Sequence, residues 1–132
     1  VNVSGHRLST AEVESAIVSH PKVAEAAVIG QSDEDTGQAI CAFVTLEGDH
    51  EGDEPMAAEI SEHVAGRIGK LARPKRVIWS GDLPKTRSGK IMRRLLRDIA
   101  EGRELGDVTT LRDPDVMEQL QERISARAGE ED

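Results

Sequence analysis

At 132 residues and 37% hydrophobic content, the chain can build one domain with a modest core, and no apolar run approaches the roughly 18 residues of a membrane span. A single cysteine excludes a disulfide framework and points to a reducing, cytoplasmic setting, and no signal peptide pattern is legible. A formal net charge of −8 with one Phe, one Trp and no Tyr removes the stacking platforms of most single-strand nucleic-acid binders.

The chain opens Val1-Asn2-Val3-Ser4-Gly5-His6-Arg7-Leu8, without an initiator Met and already inside an alternating pattern, so it is expected to be part of something longer. Val1, Val3 and Leu8 flank Ser4-Gly5 as in a short hairpin or bulged strand. Ser9 and Glu12 make a capping box, and Val13, Ala16 and Ile17 give the apolar face of a helix from Thr10 to His20. Val23 to Ile29 reads as a strand closed by Gly30. Gln38 to Leu46 reads as a second, and its nearly continuous apolar run argues burial on both faces, with Cys41 as a small buried hydrophobe. The acidic stretch Glu47 to Glu54 reads as a solvated loop. A second helix, with Pro55 at its first position, carries Ile60, Val64, Ile68 and Leu71 at spacings of three and four. Arg76 to Trp79 is a short third strand, and Asp113-Pro114 starts a last helix with Met117, Leu120 and Ile124 on one face. The order predicts an α+β domain, a small, mainly three-stranded sheet with an N-terminal β-hairpin, packed by helices. Residues 1–132 form one domain, of which 103–132 is a C-terminal extension.

Chemistry concentrates in PKTRSGKIMRRLLRDI, Pro84 to Ile99, where a polar loop ends in Gly89-Lys90 and runs into a basic amphipathic segment. Ser88 reads as an N-cap, which puts Lys90 in the first turn of a helix whose Ile91, Met92, Leu95, Leu96 and Ile99 share a face. Free N–H groups and the helix dipole there favour an anion, and Lys85, Arg87 and Lys90 are crowded unless one comes. The pattern is not a P-loop, because Pro84 and Ile91 stand where glycine and a hydroxyl are needed. From Lys70 to Arg97 ten Lys or Arg face Asp82 alone, a local net of +9, and the remainder of the chain carries −17. A basic face on an acidic protein suits a small phosphorylated ligand or an acidic protein surface; a nucleic-acid or membrane module would rest on this stretch alone, and neither partner is expected. Histidines 6, 20, 50 and 63 show no metal-ligand spacing with one another or with Cys41, and no metal site is expected.

These residues resemble the C-terminal domain of AMP-forming acetyl-CoA synthetases, within the acyl-CoA synthetase, nonribosomal peptide adenylation and luciferase superfamily. The resemblance runs from VNVSGHRL through HPKVAEAAVIG and GQAI to LPKTRSGKIMRRLLR and the tail TLRDPDV. It implies an acetate–CoA ligase acting in two steps: carboxylate and ATP give acyl-AMP and pyrophosphate, then the CoA thiol displaces AMP. ATP and CoA are substrates, Mg²⁺ would accompany ATP on a larger N-terminal domain of the same enzyme, and this small domain would turn between the steps as a lid, inactive alone.

Residue by residue, the resemblance makes Lys90 the adenylation lysine and a target of acetylation to N6-acetyllysine by GNAT-type acetyltransferases, reversed by sirtuin-like deacetylases. Gly5 matches the glycine bordering the pantetheine channel, and Arg7 the arginine near the nucleotide phosphate in the thioester-forming state. On the second helix the family's CoA-contacting arginine corresponds to Ala65, leaving Arg67 as the candidate for that contact. The hinge on which the lid turns would lie just upstream of Val1. Propionyl- and acetoacetyl-CoA synthetases, or a protein-interaction module serving as an acetylation substrate, are the alternatives.

Overall fold

The computed structural model describes residues 2–3, 5–33, 37–48, 50, 52–102 and 115–121. The fold is α+β. Strands β1 (Asn2–Val3) and β2 (His6–Arg7) form the N-terminal hairpin; α1 (Thr10–Val18), β3 (Val23–Asp33), β4 (Gly37–Leu46), α2 (Glu54–Arg67), a 3-10 turn (Lys70–Ala72), β5 (Arg76–Trp79) and α3 (Arg93–Ala100) follow. The chain divides into two compact units, Val1–Ser80 and Gly81–Asp132.

In the first unit β4 is the central strand. It pairs antiparallel with β3 from Val23↔Leu46 to Asp33↔Gly37. Its other edge takes β1 antiparallel at Gly37 and β5 parallel from Cys41↔Arg76 to Val44↔Trp79. Two parallel neighbours cannot be joined by a tight turn, and α2 supplies the crossover. Ile40, Ala42 and Val44 point into a core shared with Val13, Ile17, Ile60, Val64 and Val77. The alternate residues Cys41 and Phe43 are fully buried as well, as the unbroken apolar run of β4 requires.

Local chemistry sets the helix ends. The Ser9 hydroxyl accepts from the Glu12 N–H at 3.4 Å and starts α1. The Asp53 carboxylate accepts from the Met56 N–H at 3.0 Å, which makes Glu54 the first residue of α2 and Pro55 the second. Three sequence expectations shift here. Gly30 does not close β3 but pairs with Ile40 inside it, because the ladder to β4 carries the strand on to Asp33. Leu71 does not continue the apolar face of α2: Gly69, at φ 132°, breaks the helix, and Leu71 lies on the 3-10 turn, 43% exposed. Pro55 stands one position further into its helix than its sequence suggested.

In the second unit, α3 begins at Arg93, not at Gly89, and Met92 rather than Ser88 occupies its N-cap position. The reason is that Pro84 to Met92 has already spent its backbone groups on a hairpin. The Met92 N–H donates to the Pro84 carbonyl at 2.8 Å, the Thr86 N–H donates to the Lys90 carbonyl at 2.9 Å, and Lys85 stands opposite Ile91. Ile91 and Met92 are half-buried but precede the helix, whose own buried residues are Leu95, Leu96, Ile99 and Ala100. Residues 115–121 form a last helix that buries Val116, Met117 and Leu120. Ile124 and the rest of the extension, with Ser4, lie outside the described residues.

Candidate functional site

The hairpin of the second unit presents Lys90. Gly89, at φ 92°, makes the turn, and its N–H donates to the Thr86 carbonyl at 2.9 Å. A side chain is disfavoured at that φ, which accounts for glycine there. The Lys90 N–H donates to the Thr86 hydroxyl oxygen at 3.2 Å, and the Thr86 and Ser88 hydroxyls are 2.9 Å apart. Arg87, Ser88, Gly89 and Lys90 are all exposed. Among the described residues the Lys90 ammonium has no ion-pair partner, so it is a cation on a flexible stem at the tip of a hydrogen-bonded hairpin.

Lys85 differs. Cross-strand partners share a face, so Lys85 lies on the side of half-buried Ile91, and Lys90 lies on the other side with Thr86. The Lys85 ammonium is 3.5 Å from the Asp82 carboxylate, and its side chain is only 14% exposed. Lys90 does not lie in the first turn of a helix, as its sequence suggested, because the hairpin separates it from the start of α3 at Arg93. The first turn of α3 carries Arg93 and Arg94 and no acidic residue, and Arg94 sits 3.7 Å from Asp98 one turn on.

The other candidates belong to the first unit. Gly5 turns between β1 and β2 at φ 82°, and a Cβ placed there would meet no atom within 4 Å. Arg7, exposed on β2, lines an open cavity of about 260 Å³ with Leu8, Ile68, Gly69, Lys70, Leu71 and Ala72. Arg67, exposed on the last turn of α2, lines another of about 420 Å³ with Ala11, Glu12, Ser15, Ala16 and Ile68. Ile68 is common to both, so the two arginines flank one apolar residue. Ala65 is half-buried and, at 3.6 residues per turn, points about 200° away from Arg67.

Residues 12–90 match the family described as the AMP-binding enzyme C-terminal domain. The chain belongs to that family. It is 63% identical over 127 residues to the acetyl-coenzyme A synthetase of Rubrobacter xylanophilus, covering 96% of this chain and 20% of that protein. It is 58% identical over 129 residues to the acetyl-coenzyme A synthetase of Streptomyces coelicolor, covering 98% of this chain and 20% of that protein. The crystal structure of a Brucella canis acyl-CoA synthetase shares the fold at a TM-score of 0.72 and 41% identity, over 74% of this chain and 18% of that one. The chain thus spans about a fifth of the length of these relatives.

Within this AMP-binding enzyme C-terminal domain, two residues that sequence reasoning passed over share the surroundings of the candidates. Lys70 stands beside Arg7 in the smaller cavity, and Thr86 is tied to the backbone of Lys90. Neither has a periodic signal; the only hint for Thr86 is a hydroxyl four residues before a lysine across a glycine turn. Among the described residues no cluster of three His, Cys, Asp or Glu is placed to hold a metal ion, and no helix is long and apolar enough to cross a membrane.

Proposed function

We propose that this domain is the catalytic lid of an AMP-forming acetate–CoA ligase. The observation that supports this most is identity of 63 and 58% to acetyl-coenzyme A synthetases over 96 and 98% of the chain. In the first step an acetate oxygen attacks the α-phosphorus of ATP, the bond to the β-phosphate oxygen breaks, and acetyl-AMP and pyrophosphate form. Lys90 supplies an ammonium between the carboxylate and the α-phosphate, where negative charge builds up, and its long stem lets it withdraw afterwards. In the second step the CoA thiolate attacks the acetyl carbonyl and AMP leaves. Gly5, with open space at its Cα, gives the pantetheine arm room; Arg7 meets the nucleotide phosphate and Arg67 the CoA end.

The N-terminal domain of the same enzyme would supply the adenine and acyl pockets, and Mg²⁺ would arrive with ATP there, not on this domain. The exposed ammonium of Lys90 is also open to a GNAT-type acetyltransferase and a sirtuin-like deacetylase. Acetylation would remove the charge that the first step needs. The setting is cytoplasmic, in keeping with a single buried thiol at Cys41. The test is pyrophosphate exchange by the full-length enzyme with acetate, propionate and acetoacetate: acetate should be the preferred carboxylate, and the domain alone should give no exchange. Preference for another acid, or exchange by the isolated domain, would refute this reading.

A further inference from the structure

We propose that Thr86 is the positioning residue of the hairpin, fixing the backbone from which the Lys90 ammonium swings; this rests on Lys90 being the adenylation lysine. The ammonium makes no ion pair among the described residues and the side chain is exposed, so only the Lys90 main chain decides where its arc begins. Three bonds hold the Gly89–Lys90 backbone to Thr86, two of them made by Lys90 itself. The Thr86 N–H donates to the Lys90 carbonyl at 2.9 Å, its carbonyl accepts the Gly89 N–H at 2.9 Å, and its hydroxyl oxygen accepts the Lys90 N–H at 3.2 Å.

The first two are main-chain bonds and survive any substitution at position 86 other than proline. The third depends on the side chain, and it is the one that fixes the Gly89–Lys90 peptide. Gly89, at φ 92°, has the wide backbone freedom of glycine, so the Gly89–Lys90 peptide is the easiest in the turn to rotate once that third bond is lost. Threonine suits the task because its β-branch stiffens χ1 and holds Oγ1 in one place. The Ser88 hydroxyl, 2.9 Å away, braces the same oxygen from the tip of the turn. A half-buried residue in an exposed turn is a poor candidate for a large share of folding stability, so its effect should appear in the geometry of Lys90.

The test compares Thr86→Val, which keeps the shape and loses the acceptor, with Thr86→Ser, which keeps the acceptor, in the full-length enzyme. Val should lower kcat for acetate-dependent adenylation on the order of tenfold, with KM for ATP little changed, because misplacement of a reacting group acts on the transition state. Thioester formation from supplied acetyl-AMP should be untouched, and Ser should restore adenylation. Lys90→Ala measured alongside separates the two levels: if it spares adenylation, the reading of Lys90 falls and this proposal falls with it. If Lys90→Ala abolishes adenylation while Thr86→Val stays within about twofold of wild type, only the proposal is overturned. Equal loss in both half-reactions, or a Ser variant as poor as Val, would overturn it too, since a hydroxyl that positions Lys90 predicts neither.

Discussion

Gly52 lies against the face of Trp79, so close that a Cβ built on it would fall inside the indole, against Cγ, Cδ1 and Cδ2. The acidic loop before α2 is therefore docked at that residue on the end of β5. Gly52→Ala forces either the loop or the ring to move, an overpacking effect that costs about 1–3 kcal/mol. Trp79 is the only tryptophan, so its fluorescence reports directly on the contact. Urea unfolding of the chain should show a lower midpoint with a shifted native emission maximum. Unchanged emission and midpoint would mean that the loop does not rest there in solution.

His63 should make the first unit sensitive to mild acid. Its ring meets His20 edge-on, with centroids 5.1 Å apart, and its Nε2 lies 2.8 Å from the Ser19 hydroxyl. Ser19 gives its own proton to the Ala16 carbonyl at 2.6 Å, so Nε2 of His63 is the donor. Burial first, then the charges of His20 and Arg67, hold the His63 imidazole below the ordinary histidine value. The folded state thus resists a proton that the unfolded chain accepts. The stability contribution is complete above about pH 6.5 and is lost as pH falls from there through the folded pKa. Glu59 is held low chiefly by its hydrogen bond from Lys22, with His20 2.8 Å away, so its contribution persists further into acid. His63→Gln should reduce the fall in Tm between about pH 7.5 and about pH 5.5. An equal fall in variant and wild type would assign the effect elsewhere.

Much of the first unit was legible because burial writes itself into strands: the apolar run of β4 announced a strand covered on both sides, and Arg76–Trp79 was readable from its own four residues. Ser9 announced the start of α1 through the chemistry of its side chain. What misled was local signal overruled by non-local bonding. Gly30 looks like a stop until the ladder to Ile40 is known, and Ser88-Gly89 looks like a helix start until Pro84 and Met92 are seen to pair. Lys90 was legible as chemistry, while Thr86, which ties its backbone, was not, because a side-chain bond within a turn leaves no periodicity.

Gly5 separates the two half-reactions. At φ 82° any side chain is strained by roughly 1–2 kcal/mol, yet the space around its Cα is open, so Gly5→Leu should be tolerated by the fold. In the full-length enzyme it should leave pyrophosphate exchange near wild type and slow thioester formation from acetyl-AMP by on the order of tenfold or more, as overpacking of a channel would. Parallel loss of both activities would point to misfolding and remove Gly5 from the pantetheine path.

The most direct test of the central claim is acetate-dependent pyrophosphate exchange by full-length Lys90→Ala, with Lys85→Ala as the control. Lys85 shares the hairpin and the charge, but it is held by Asp82 on the side of Ile91, and its alanine variant should retain most exchange. Lys90→Ala should lose a factor of at least about 10²–10³, the cost of one preorganised donor to transition-state charge, while thioester formation from supplied acetyl-AMP continues. Exchange within about threefold of wild type for Lys90→Ala, or equal loss in the two variants, would contradict the assignment of Lys90 as the adenylation lysine.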